Sequence, residues 1–180
     1  KSLSNKSFKN CFSFQKVLMF SFCIPTEFVF GSGSFKKLYQ YRMPGKKALI
    51  VTTNGGSVKR LGYLNELEKQ LEKSDVSFEV FDGIEPNPIT DNIMAAAAKA
   101  KETNCDFVIG FGGGSPMDSA KLIALAATNP GNIWDYCQKG TGGRKQPENT
   151  PLPVVCISTT AGTGSEADNS GMVTNSVTKE

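Results

Sequence analysis

Histidine is absent from all 180 residues, so the commonest metal ligand and the commonest general base are both missing from the side chains available. Long apolar runs are missing as well. The nearest approach, residues 17–24, is interrupted by Ser21 and falls far short of the roughly 18 residues that a membrane-spanning helix needs. Charge of one sign is not in surplus either: the net charge is +3, drawn largely from the first 18 residues, which argues against a nucleic-acid surface built on electrostatics. The five cysteines (Cys11, Cys23, Cys105, Cys137, Cys156) are odd in number, irregularly spaced and without a C-x-x-C pair. That pattern suggests neither a disulfide framework nor a zinc knuckle, and fits small buried hydrophobes in a reducing compartment. The expectation is a cytoplasmic protein with no membrane and no nucleic-acid partner.

What is present is globular: 39% of residues are hydrophobic and 21% charged. Residues 1–18 carry four lysines, four serines, no acid and no arginine, whereas transit peptides are arginine-rich. They are set aside as an extension of unclear origin. Met19 is a candidate start, and residues 19–180 are read as one domain. Along it, TEFVF before GSGS predicts a strand and turn, and FKKLYQY a short helix. KKALIVTT is a continuous apolar run, as expected of a parallel strand buried on both faces. NGGSVKRLGYLNELEKQLEKS, residues 54–74, predicts a glycine-rich turn and then a helix, with Leu64, Leu67 and Leu71 at spacings of three and four. SFEVFDG predicts a strand closed by Asp82 and Gly83, and ITDNIMAAAAKAKETN an alanine-rich helix. CDFVIGF and PLPVVCISTT are two more strands, separated by the helix SPMDSAKLIALAATN. GMVTNSVTKE has the look of an opening hairpin. Strand and helix alternate throughout, which predicts an α/β fold with a Rossmann-like, doubly wound parallel sheet.

Two loops at strand ends carry chemistry. In FGGGSPMDSAK, residues 111–121, an apolar strand runs into three glycines and then a helix. Either the crossing needs small residues, or the backbone is stripped so that a phosphate can reach helix N-terminal amides. Ser115 adds a hydroxyl, and Pro116 gives up an N–H that would have had no intrahelical partner. The spacing is not that of a Walker loop. The second loop, STTAGTGSE at residues 158–166, sets three threonine hydroxyls and one acid at another strand end. In doubly wound sheets, ligands bind beyond the carboxyl ends of the strands, where both loops fall.

Together FDGIEPNP, GGGSPMDSAK and TTAGTGSE, with the PTEFVFGSGS opening and the KALIVT strand, resemble the iron-containing, metal-dependent alcohol dehydrogenases, a family related to glycerol dehydrogenase. The resemblance runs from about Phe20 to Glu180. It implies that Gly113, Gly114 and Ser115 cradle a dinucleotide pyrophosphate, that Thr159, Thr160 and Thr163 line the adenine and ribose path, and that Asn87 borders the groove. Asp118 matches an acid near the cleft where nicotinamide and substrate meet, a candidate catalytic residue; it also reads as a carboxylate placed by the helix dipole. Glu166 reads as structural. Where NAD-using members carry an acid after the first strand, this chain has Thr53, Asn54, Gly55, Gly56 and Ser57. That loop resembles the one in NADP-using relatives, with Lys59 or Arg60 to supply charge, and favours NADP over NAD. Asp82 stands where an acid is sought in other dinucleotide folds and is assigned to the turn instead.

The resemblance further implies hydride transfer between nicotinamide and a small alcohol or aldehyde polarised by a divalent metal, iron or zinc, in a homo-oligomeric full-length enzyme. Family members hold that metal in a second, helical domain, and no metal ligand is assigned within this chain. The expectation is therefore the N-terminal, cofactor-binding half of a two-domain dehydrogenase, truncated at its C-terminus and inactive alone. A stand-alone nucleotide-binding module and a glycerol dehydrogenase-like sister enzyme remain the alternatives; GGGS in place of GGGK counts against the latter.

Overall fold

The computed structural model describes residues 26–54 and 56–180. The extension assigned to residues 1–18, the start of the 19–180 domain, Cys11, Cys23 and Gly55 lie outside the described residues. Four strands form one all-parallel sheet: β1 (Lys47–Thr53), β2 (Ser77–Ile84), β3 (Phe107–Gly112) and β4 (Val154–Ser158), in the spatial order β2-β1-β3-β4. β1 and β3 are central and their apolar runs are buried on both faces, whereas the edge strands β2 and β4 are only partly covered.

Successive side chains alternate between faces, which divides the core in two. On one side Ala48 and Ile50 of β1 and Phe107, Ile109 and Phe111 of β3 pack under α1 (Ser57–Arg60) and α2 (Tyr63–Glu72), through Val58, Leu64, Leu67 and Leu71. On the other, Leu49, Val51 and Val108 meet α3 (Thr90–Glu102) and α4 (Gly114–Thr128). The alanine-rich face of α3, with Ala96, Ala97 and Ala100, is buried in that second cluster beside Ala120 and Ala124 of α4. The α/β, Rossmann-like reading holds. β2 lies to one side of β1 while β3 and β4 lie to the other, so strand order reverses between β1 and β3. A crevice opens at such a reversal, outside the carboxyl ends of the strands.

Several local expectations are corrected. Residues 26–30 form no strand; Phe28, Val29 and Phe30 are exposed, and neither sheet edge pairs with them. The short helix expected of FKKLYQY is present, wound as a 3-10 helix over Ser34–Gln40. The single helix expected after the glycine-rich turn within residues 54–74 is broken at Gly62, whose φ of 75° is left-handed, so α1 and α2 are separate. Asp82 and Gly83 do not end β2, which runs on to Ile84. GMVTNSVTKE is no hairpin: Thr174 makes one parallel bridge with Ile89, and the Asn175 carboxamide then accepts from the amides of Val177 and Thr178 in a turn. Among the described residues, no helix is long and apolar enough to cross a membrane.

Candidate functional site

Because the sheet is all parallel, the carboxyl ends of its strands lie along one edge, and the candidate residues line it in sheet order. Asn87 follows β2, Gly56 and Ser57 follow β1, Gly113 to Ser115 follow β3, and Thr159, Thr160 and Thr163 follow β4. Gly55 belongs to the β1 loop but is outside the described residues. Asn87 is exposed and left-handed, with φ 58°, a conformation asparagine tolerates better than most residues.

The glycines of this edge divide into two kinds. A Cβ on Gly110 would stand 2.8 Å from the Met117 Cα and 2.9 Å from the Ala120 Cβ, so that glycine lets α4 lie close on β3. Gly112 has φ 147°, and a Cβ there would meet the Pro116 ring at 2.6 Å. At Gly56 a Cβ would collide with the Thr53 hydroxyl at 2.4 Å. Gly110 and Gly112 are required by the protein's own packing, whereas a side chain at Gly56 would need only the Thr53 hydroxyl to turn aside. Gly113 and Gly114 are not required by it: a Cβ at either would find only ordinary contacts, 3.6 Å from the Thr160 hydroxyl and 3.6 Å from the Thr163 methyl. Those contacts also place the β4 loop directly across from the start of α4, joined by a hydrogen bond from the Thr159 amide to the Gly112 carbonyl at 2.8 Å.

The N-terminus of α4 is left open by the chain. Gly113 occupies its cap position with no side-chain cap bond, and the first turn carries no acid, whereas the first turns of α2 and α3 carry Glu66 and Asp91. Among the described residues, its amides and the positive end of its dipole thus have neither a side-chain cap nor a first-turn carboxylate. Ser115 sits in that first turn, half-buried, and Thr159, Thr160 and Thr163 are exposed around it. Ser158 Oγ donates to the Thr160 carbonyl at 2.9 Å, shaping the turn out of β4.

Asp118, one turn further along α4, has both oxygens engaged. Ser165 Oγ donates to Oδ1 at 2.5 Å and the Met172 amide to Oδ2 at 3.1 Å. Lys121, which the sequence reading passed over, completes this cluster. Its Nζ donates to Ser165 Oγ at 3.1 Å, Asp168 Oδ1 at 2.6 Å and the Ser170 carbonyl at 2.7 Å, and lies 3.6 Å from Asp118 Oδ1. Burial pushes the Asp168 carboxyl up, but the Lys121 hydrogen bond and the Ser170 amide outweigh it and hold the group below the usual carboxylate range. The cluster ties residues 165–172 to α4. Its only local signal was the i, i+3 pairing of Asp118 with Lys121. Glu166 accepts a 3.4 Å bond from Thr163 Oγ1 within the same loop.

At the other end of the edge, Lys59 is not a free cation. It is ion-paired with Asp82, which corrects the assignment of Asp82 to a turn. Among the described residues no three His, Cys, Asp or Glu side chains converge as a metal-holding group.

The model of the family described as iron-containing alcohol dehydrogenase matches residues 25–180. The chain is 35% identical over 161 residues to a probable NADH-dependent butanol dehydrogenase of Bacillus subtilis, covering 89% of this chain and 40% of that protein. It is also 35% identical over 161 residues to an NADPH-dependent aldehyde reductase of Escherichia coli, covering 88% and 40%. An archaeal halo-thermophilic alcohol dehydrogenase from a Red Sea brine pool superposes with a TM-score of 0.79 at 33% identity, covering 88% of this chain and 41% of the other. The chain thus spans about 40% of the length of the curated relatives it matches.

Proposed function

The chain belongs to the iron-containing alcohol dehydrogenase family, and we propose that its domain, assigned to residues 19–180, is the dinucleotide seat of such an enzyme. Gly113, Gly114 and Ser115 receive the pyrophosphate at the start of α4; Thr159, Thr160 and Thr163 line the adenine and ribose path; Asn87 borders the groove. The observation that carries this reading is the pair Gly113 and Gly114, where the protein's own packing has room for a side chain and none is present. An anion touching the backbone supplies the missing reason, and the uncapped, acid-free helix start supplies the attraction.

When bound, the nicotinamide supplies or accepts the hydride. The chain's own residues bind and orient. Backbone amides at Gly114 and Ser115 fix the diphosphate, and the opposing threonines close the other wall. Asp118 borders the nicotinamide end, where its two engaged oxygens hold residues 165–172 against α4. The preference proposed is for NADP(H), on the strength of Gly55, Gly56 and Ser57 and the nearby Lys59; relatives of both cofactor types match the chain. The substrate class proposed for the whole enzyme is a small alcohol or aldehyde. The donor set here does not fit a metal, with no histidine in the chain, and no step through a metal is assigned to these residues.

Calorimetric titration of the purified chain with NADPH and NADH, alongside an assay of aldehyde-dependent NADPH oxidation, tests the proposal. Saturable one-to-one binding without turnover is expected. Failure of both dinucleotides to bind defeats the reading, and turnover above control defeats the assignment of catalysis to residues beyond this chain.

A further inference from the structure

Lys59 and Asp82 face each other at the carboxyl edge of the sheet, from two neighbouring strands' ends. Lys59 lies on α1, two residues past Ser57 and just beyond β1; Asp82 is near the end of β2, which pairs with β1. Their side chains are 35% and 47% exposed, so the ion pair is open to solvent and to a ligand. The hydrogen bond from Lys59 holds the Asp82 carboxyl below its ordinary value against some desolvation, so the acid is charged at neutral pH. Lys99 adds a weaker attraction of its own to Asp82, while its Nζ donates to the Val80 carbonyl at 2.9 Å and lies 3.6 Å from Glu79.

Resting on the dinucleotide reading above, we propose that Asp82 is a specificity-determining residue that competes with the ribose 2′-phosphate of NADP(H) for Lys59. An exposed ion pair is weak and exchanges partners readily. A 2′-phosphate, with more charge and three acceptor oxygens, draws Lys59 away. Asp82 is then left unpaired beside a second anion and opposes what Lys59 attracts. A 2′-hydroxyl asks for no such exchange and leaves the pair intact. Asp82 is thus the repulsive element of the site, and it keeps discrimination between the two cofactors small. The absence of an acid after β1 does not leave the site free of carboxylates, because the acid arrives from β2.

The test uses adenosine 2′,5′-bisphosphate and AMP as probes, titrated into the full chain and its variants, with circular dichroism to confirm folding. Asp82→Asn is expected to tighten the bisphosphate about tenfold while leaving AMP within about twofold, since an exposed charge acts on its neighbours and little else. Asp82→Glu, which keeps the carboxylate, is expected to retain the original ratio, and Lys59→Gln to weaken the bisphosphate selectively. A bisphosphate-to-AMP ratio that Asp82→Asn leaves unchanged or lowers, in a chain that binds AMP, overturns the inference and spares the dinucleotide reading. A chain that binds neither probe fails both.

Discussion

Gly112 and Gly114 sit two positions apart in FGGGSP, and they lack a side chain for opposite reasons. Gly112 combines a φ of 147° with a Pro116 ring that would meet its Cβ at 2.6 Å; Gly114 has a helical backbone and open space as far as Thr163 at 3.6 Å. Gly112→Ala is therefore expected to cost about 1–3 kcal/mol of folding stability, through backbone strain and a steric clash. Gly114→Ala is expected to leave stability unchanged or to raise it by up to about 1 kcal/mol through helix propensity, while weakening dinucleotide binding tenfold or more. Urea unfolding and calorimetric titration of the two variants side by side would separate these effects. Equal destabilisation by both would show that Gly114 also serves packing. The triple glycine was visible in the sequence, but which glycine served which purpose was not, because that depends on Thr163, 49 positions away in the chain.

At the scale of elements, α4 does three things with three faces. Its small residues let it lie close on Gly110 of β3, its first turn opens toward the Thr159–Thr163 loop, and its Asp118–Lys121 pair fastens residues 165–172. Lys121 has a side chain only 12% exposed with four polar partners, so removing it leaves the largely buried Asp118 carboxylate without its cation, while Asp168, 52% exposed, can turn to water. Lys121→Met is expected to cost about 1–3 kcal/mol and to speed exchange of the Met172 amide, whose bond to Asp118 belongs to the same fastening. Hydrogen exchange read residue by residue would show it. Unaltered protection at Met172, with α4 itself intact, would mean that the segment is held by other contacts. The helices and four strands of the sheet were legible because each carries its own periodicity or apolar run. The fastening was not, since its partners lie 44 to 54 residues apart and leave no local pattern. Residues 26–30 show the reverse error: strand-like composition without a strand to pair with.

At the scale of the whole molecule, the missing histidines bear on stability as well as on chemistry. No side chain has an ordinary pKa between 5 and 8, and burial pushes the described cysteines Cys105, Cys137 and Cys156 up, further from neutrality. Three acids move the other way: Asp82 through Lys59, Asp168 through Lys121 despite its burial, and Glu180 through Thr141. A carboxyl whose pKa is lower folded than unfolded adds stability above its unfolded value. That contribution is lost as the pH falls through its folded value. The urea midpoint of the chain is therefore expected to stay level between about pH 5.5 and 7.5 and to fall as the pH drops below about 4, where ordinary aspartates protonate. Asp82→Asn and Asp168→Asn should each flatten the acid limb and leave the plateau level, since each removes one group whose proton uptake drives the loss. A midpoint that moves by more than about 0.5 M urea across the neutral range would point to a titrating group outside the described residues. An acid limb insensitive to both substitutions would show that the ion pairs of Lys59 and Lys121 do not govern how this fold meets acid.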